Sequence, residues 1–238
     1  MDKQQITKLL KEKVKRKKLD EYKNNFASFA EEQIKIITKD AAQGFVPFEL
    51  NECQQIITEK LNKQLEETGK VRAIILKARQ QGISTYCAGR VFWKSYFTPY
   101  ARSVVMAHDS ATSDALFALS KNLIKQLDGD LAPKEIRSNA KEIIINSPAM
   151  PDKDATSSYR LYTAGSPEAG RGTTPTIAHL SEIAFWGHDE KILAGLFQGI
   201  SQAAGTGNSI DYGRVLVLER TNTYRFFFLG ILHKSIDA

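Results

Sequence analysis

An α/β fold with a largely parallel central sheet is what this sequence predicts, on three observations. Short apolar runs rich in β-branched residues recur at 71–76, 103–108, 176–180 and 214–219, and most are apolar on both alternating faces, as strands covered by helices must be. Segments with helical periodicity separate these runs, the alternation expected of βαβ units. The stretch Lys77-Ala-Arg-Gln-Gln-Gly82-Ile-Ser84-Thr85 stands where the first such run turns into a helix, and it carries a variant phosphate-loop pattern.

Composition bounds the class of protein. At 238 residues, 42% hydrophobic and 25% charged, the chain is long enough for one sizeable α/β domain or two small ones. No window approaches ~18 consecutive apolar residues, and the charged N-terminus is not followed by an apolar core. The expectation is therefore a soluble protein of the cytoplasm with no membrane span. Cys53 and Cys87 show neither a CxxC spacing nor a nearby histidine pair, so they read as two reduced structural thiols, with no metal expected beyond a nucleotide-bound Mg²⁺. The net charge of +6 is concentrated: residues 1–20 hold eight Lys/Arg against three acids, and the remainder is nearly neutral, 25 basic against 24 acidic. A basic segment of this kind can touch nucleic acid or an acidic partner through screened contacts, and it reads equally as a solvated, partly frayed helix.

In order along the chain, Ile6, Leu9, Leu10 and Val14 recur at helical spacing among the lysines and predict an amphipathic helix that docks on a partner surface. Helical character continues over 20–40, with Phe26, Phe29, Ala30 and Gln33 on one face, and a short linker follows Gly44. Residues 45–50 approach as a strand, and Asn51 caps a helix running to Thr68-Gly69. Gln54 in its first turn has an amide able to pair with adenine, and Phe48 or Phe45 can pack against the base; surface glutamines are common, and alone this signal is weak. The strand at 71–76 leads into the loop and then a helix at 83–97, whose aromatics read as core and which Thr98-Pro99 ends. The run at 103–108, closed by the Asp109-Ser110 cap, begins a second βα unit. Residues 142–146 and 159–163 read as a β-hairpin at a sheet edge, 189–203 as a helix and 214–219 as the last strand.

The loop explains what chemistry to look for. A standard phosphate loop, G-x-x-x-x-G-K-[ST], cradles phosphate with backbone N–H groups, places a lysine on the β/γ-phosphates and a hydroxyl on Mg²⁺. Here Gly82 and Ser84 are in register, but Ile83 occupies the lysine position and Lys77 that of the first glycine, so the cation must come from Lys77 or Arg79. Attack on a γ-phosphate also needs an oriented water and a carboxylate at the end of a neighbouring strand. Glu182 is placed for that role after 176–180, in a Ser181-Glu182 pair where the usual pattern has Asp-Glu. Taken alone, Glu182 reads as a solvated acid after a strand.

Four ordered motifs, FVPFELNECQ, VRAIILKARQQGISTY, the AGRGT turn and IAHLSEIAFW, together resemble the ATPase half of a tailed-phage terminase large subunit over roughly residues 25 to 220. The resemblance implies a three-layer P-loop NTPase of the ASCE type, with a basic helical extension at 1–44, the ATPase domain at 45–219 and a divergent tail at 220–238. It implies ATP and Mg²⁺ as ligands and hydrolysis of ATP coupled to movement of double-stranded DNA into a capsid. It also implies a terminase small subunit, a portal or procapsid and further copies of the chain as partners. By position, Lys77 is similar to the front lysine of variant terminase loops, Arg79 to a second loop cation, Gln54 to the adenine-reading glutamine and Glu182 to the catalytic glutamate. Gln81, Gly82, Ser84 and Thr85 fall on the nucleotide-contacting loop, with Ser84 and Glu182 on the metal side. Arg171 in the Gly170-Arg171-Gly172 turn matches an arginine that reaches phosphate in its own or a neighbouring subunit, and reads equally as a turn arginine bonded to backbone.

The chain departs from that family where hydrolysis is coupled to DNA movement. A Glu-Ser-Thr-Ala-Asn-Gly type motif is expected after the last strand, and the sequence instead reads Glu219-Arg220-Thr221-Asn222-Thr223-Tyr224-Arg225 and ends at Ala238. The expectation is a frameshifted or decayed prophage remnant, or a deliberately short chain, without the nuclease domain and without endonuclease activity. A non-catalytic remnant that binds nucleotide, DNA or a terminase partner without turnover is the alternative function. A superfamily 2 helicase shares the glutamine, loop and acid, but nothing in the sequence resembles its second motor domain.

Overall fold

The computed structural model describes residues 3–37, 44–69, 71–77, 81–127, 129–164, 174–186 and 215–221, the last by their backbone. The chain divides into two compact units, Met1–Leu50 and Asn51–Ala238.

In the first unit, α1 (Lys3–Asn24) is followed by α2 (Phe26–Gln33), and Asn25 breaks the chain between them by accepting the Ser28 N–H and capping α2. The end of α1 is clasped to α2. Tyr22 meets Phe29 edge-on with ring centroids 5.6 Å apart, and its hydroxyl donates to Glu32 at 2.9 Å. Lys18 pairs with the same carboxylate at 2.8 Å. The start of α1 is different: Ile6, Leu9, Leu10 and Val14, the residues predicted to dock, are all exposed.

The helix predicted through residue 40 stops at Gln33, because the β-branched run Ile34-Lys35-Ile36-Ile37 favours extended backbone. There β1 (Lys35–Ile37) pairs antiparallel with β2 (Phe45–Pro47), setting Ile37 opposite Phe45. That pairing holds 45–47 within the first compact unit, which ends at Leu50.

The second unit opens with α3 (Glu52–Thr68), started by Asn51 and stopped by Gly69 in the left-handed region at φ 67°. Then come β3 (Val71–Lys77), α4 (Ile83–Phe97), β4 (Arg102–Ala107), α5 (Ser110–Gln126), β5 (Lys134–Ser138), β6 (Glu142–Asn146), β7 (Ser157–Thr163), β8 (Ile177–Leu180) and β9 (Val215–Thr221). The sheet order is β3-β9-β8-β4-β7-β6-β5. The first five of these strands are mutually parallel, while β6 and β5 add antiparallel to β7 and to each other. The α/β class with a mainly parallel sheet is as predicted.

The edge differs from the prediction. Residues 142–146 and 159–163 do pair, but β5 lies outside β6, and β7 continues into the sheet through β4. The segment Lys134-Glu-Ile-Arg-Ser138 is exposed throughout, so burial leaves no apolar signature in it. The centre follows the opposite rule: β8 is buried at every position and β4 at all but its first. Val104 and Met106 of β4, Ala178 and Leu180 of β8, and Trp186 form one core cluster, and α4 and α5 pack on each other and on the strands. Cys53 and Cys87 are both free thiols. Among the described residues no helix is long and apolar enough to cross a membrane. The helix predicted at 189–203 and the tail from 222 lie outside the described residues.

Candidate nucleotide site

The loop is held at its far end by the start of α3. Asn51 and Gln54 form a reciprocal capping box: Asn51 Oδ1 accepts the Gln54 N–H at 3.0 Å, and Gln54 Oε1 accepts the Asn51 N–H at 3.1 Å. Both side chains then reach the loop. Gln54 Nε2 donates to the Gly82 carbonyl at 3.0 Å, and Asn51 Nδ2 donates to the Gln81 carbonyl at 3.3 Å. Two features favour glycine at position 82. Its φ is 69°, in the left-handed region, and a Cβ there would meet Gln54 Nε2 at 3.0 Å. Gly82 is also the residue before α4, which no side chain caps, so the first-turn N–H groups around Ile83, Ser84 and Thr85 form the positive end of a 15-residue helix. Ser84 and Thr85 are half-buried in that turn.

A buried polar chain fixes α3 to α4 behind the loop. Thr58 Oγ1 donates to the Gln54 carbonyl at 2.8 Å and meets the Tyr86 hydroxyl at 2.9 Å. Arg90 donates to that hydroxyl at 3.4 Å and to Asn62 Oδ1 at 2.6 Å. Burial is the main cause that raises the Tyr86 pKa, keeping the phenol neutral as this chain requires.

The near end of the loop faces Glu182 because of strand register. Ile74 of β3 is level with Leu218 of β9, and Leu218 with Leu180 of β8. Glu182, two residues past Leu180, therefore comes level with Leu76 and beside Lys77, two strand spacings or roughly 10 Å away across β9. Their side chains close that gap: Lys77 Nζ lies 3.3 Å from Glu182 Oε1, with the lysine side chain 9% and the glutamate 18% exposed. Residues 105 apart in sequence thus form one ion pair at the carboxyl ends of the parallel strands, where open α/β sheets place ligands. Glu182 itself is left-handed, φ 55° and ψ 40°, one of two non-glycine residues with positive φ among those described.

Phe48 belongs to the first unit and is buried, its N–H donating to the Ile34 carbonyl at 2.9 Å. Arg79 and Arg171 lie outside the described residues. Gln54 is 3% exposed, with one amide hydrogen and one carbonyl lone pair engaged in the contacts above. The loop contact of Asn51 was missed, although the Asn-x-x-Gln spacing that creates it is visible in the sequence. Among the described residues no group of three or more His, Cys, Asp or Glu is arranged to hold a metal. The donors at hand, the Ser84 hydroxyl and the Glu182 carboxylate, are of the kind that supplements phosphate oxygens around Mg²⁺.

The helix started by Gly82 follows the first parallel strand, and Glu182 follows a strand separated from it by one inserted strand. The fold is that of phage large-terminase ATPase domains. The chain is similar to the large terminase of bacteriophage HK97, with a TM-score of 0.61 at 15% identity over 83% of this chain and 37% of that one. It is similar also to the ATPase domain of the Thermus phage P74-26 large terminase, with a TM-score of 0.50 at 16% identity over 63% of this chain and 59% of that one. An arginine-to-alanine mutant of the same domain gives 0.53 at 16% identity, over 74% and 66%. No family model matches the sequence, and no curated protein does.

Proposed function

We propose that the chain is the ATP-hydrolysing motor domain of a phage DNA-packaging large terminase. The observation that carries the reading is the Lys77–Glu182 ion pair, which sets a cation at the start of the loop against an acid at the end of β8. On nucleotide binding, Lys77 exchanges this pair for the β/γ-phosphates. Backbone N–H groups from Gln81 and Gly82 into Ser84 and Thr85 receive phosphate oxygens at the helix terminus. Glu182, released from Lys77, orients the attacking water and takes its proton. Ser84 and Glu182 would hold Mg²⁺, which offsets charge on the phosphates when bound. Arg79 and Arg171 supply further positive charge to the transferring phosphoryl group. Gln54 keeps one amide hydrogen and one lone pair with which to read adenine. The work done is translocation of double-stranded DNA, gripped through its backbone charge by several copies of the chain acting with a small subunit at a portal.

ATP binding measured by calorimetry tests the loop. Lys77→Ala should weaken binding at least about tenfold, while Glu182→Gln should still bind ATP. Equal affinity for the Lys77→Ala protein and the unaltered one would remove Lys77 from the site.

A further inference from the structure

Resting on the proposed role of Glu182, we infer that Trp186 is the residue that sets where the Glu182 carboxylate points. Left-handed backbone is unfavourable for a non-glycine residue, and such a conformation persists only when its surroundings impose it. At Glu182 the imposition is visible on both sides. The peptide before it joins Ser181 to Glu182, and its rotation fixes the Glu182 φ. The Ser181 N–H donates to the Met106 carbonyl at 2.8 Å, extending the β8 ladder one residue. The Ser181 carbonyl accepts the indole N–H of Trp186 at 3.1 Å. After Glu182 the chain makes a single 3-10 turn, in which the Phe185 N–H returns to the Glu182 carbonyl at 3.0 Å and the Trp186 N–H to the Ile183 carbonyl at 3.2 Å.

Trp186 can act as an anchor because its side chain is packed in the core and not in the turn. It is 7% exposed and packed among Val104, Met106, Ala178 and Leu180, the same strands that carry the register to Glu182. The indole thus ties the short connection after β8 to the β4–β8 core, and a peptide flip that would carry Glu182 to ordinary backbone angles breaks its hydrogen bond. Trp186 is a positioning residue: it acts on the reaction through Glu182 alone. Its packing and its N–H are separable, since the hydrogen bond to the Ser181 carbonyl is made by the indole N–H and the core contacts by the ring.

Replacing Trp186 by β-(3-benzothienyl)alanine keeps the ring shape and removes the donor. The expected result is a fall in kcat for ATP hydrolysis of roughly ten- to a hundredfold, the scale of misplacing a reacting group by about 1 Å. ATP affinity should stay within about twofold, since Lys77 and the loop are untouched. A merely structural tryptophan would lower thermal stability without this split between kcat and affinity. If the analogue turns over ATP at the natural rate while Glu182→Gln is inactive, the inference falls alone. If Glu182→Gln itself matches the unaltered protein, the role of Glu182 falls and the inference with it.

Discussion

Gln54→Ala removes two bonds at the loop, and its cost follows from the geometry. The Asn51 N–H loses its partner at 3.1 Å, half of a capping box worth about 1 kcal/mol. The Gly82 carbonyl loses the Nε2 donor at 3.0 Å, worth about 1 kcal/mol, but it still accepts the Tyr86 N–H at 3.0 Å and so is not orphaned. The sum is about 2 kcal/mol off the second unit. Both tryptophans of the chain, Trp93 and Trp186, lie in that unit, so urea unfolding followed by tryptophan fluorescence reads it selectively. Gln54→Glu keeps an acceptor for the cap but sets a carboxylate oxygen against the Gly82 carbonyl at a buried position, so it should cost at least as much as Gln54→Ala. Titration with ATP and GTP adds a second readout. Loosening the loop weakens both nucleotides together, whereas adenine reading by Gln54 makes ATP fall further than GTP. A stability loss below about 0.5 kcal/mol for Gln54→Ala would refute the tie between α3 and the loop.

Three other outcomes follow from the same coordinates. Glu182→Gly should be about 1 kcal/mol more stable to urea than Glu182→Ala, because only glycine occupies φ 55° without penalty; equal stability would show that the turn relaxes. Met106→Ala, at a fully buried β4 position in the cluster with Ala178, Leu180 and Trp186, should cost about 2–5 kcal/mol in the same assay. Glu142 has its pKa lowered first by the hydrogen bond from Arg160 and then by that from Arg137. Its contribution is therefore present above the ordinary carboxylate pKa and is lost as pH falls through the lowered native value. Glu142→Gln should cost less than about 1 kcal/mol at neutral pH, the arginines being largely exposed, and nothing once the native carboxylate is protonated. A cost that persists in acid would assign the effect to packing.

What could be read from one dimension was read well where the signal is local. A β-branched run followed by Gly82 placed β3 and α4, and Asn51 placed the start of α3, because strand burial, positive φ and capping each leave their mark on adjacent residues. The strand β5 escaped because every residue of it is exposed, and the end of α2 was overrun because the Ala-Glu-Glu-Gln stretch before it favours helix. In the site, Lys77 and Glu182 were each legible, but their meeting depends on β9 entering between β3 and β8, a register shared by three strands far apart in sequence. The Gln54–Gly82 bond and the indole–Ser181 bond are invisible for the same reason. Each joins a side chain to a backbone carbonyl, and a carbonyl carries no residue identity.

Phosphate release from ATP by the purified chain, beside Lys77→Ala and Glu182→Gln, tests the central claim most directly. The account predicts turnover by the unaltered protein, a loss of at least about a hundredfold in kcat for Glu182→Gln with ATP still bound, and a loss of ATP binding for Lys77→Ala. Turnover by the unaltered protein no higher than by both variants would contradict it.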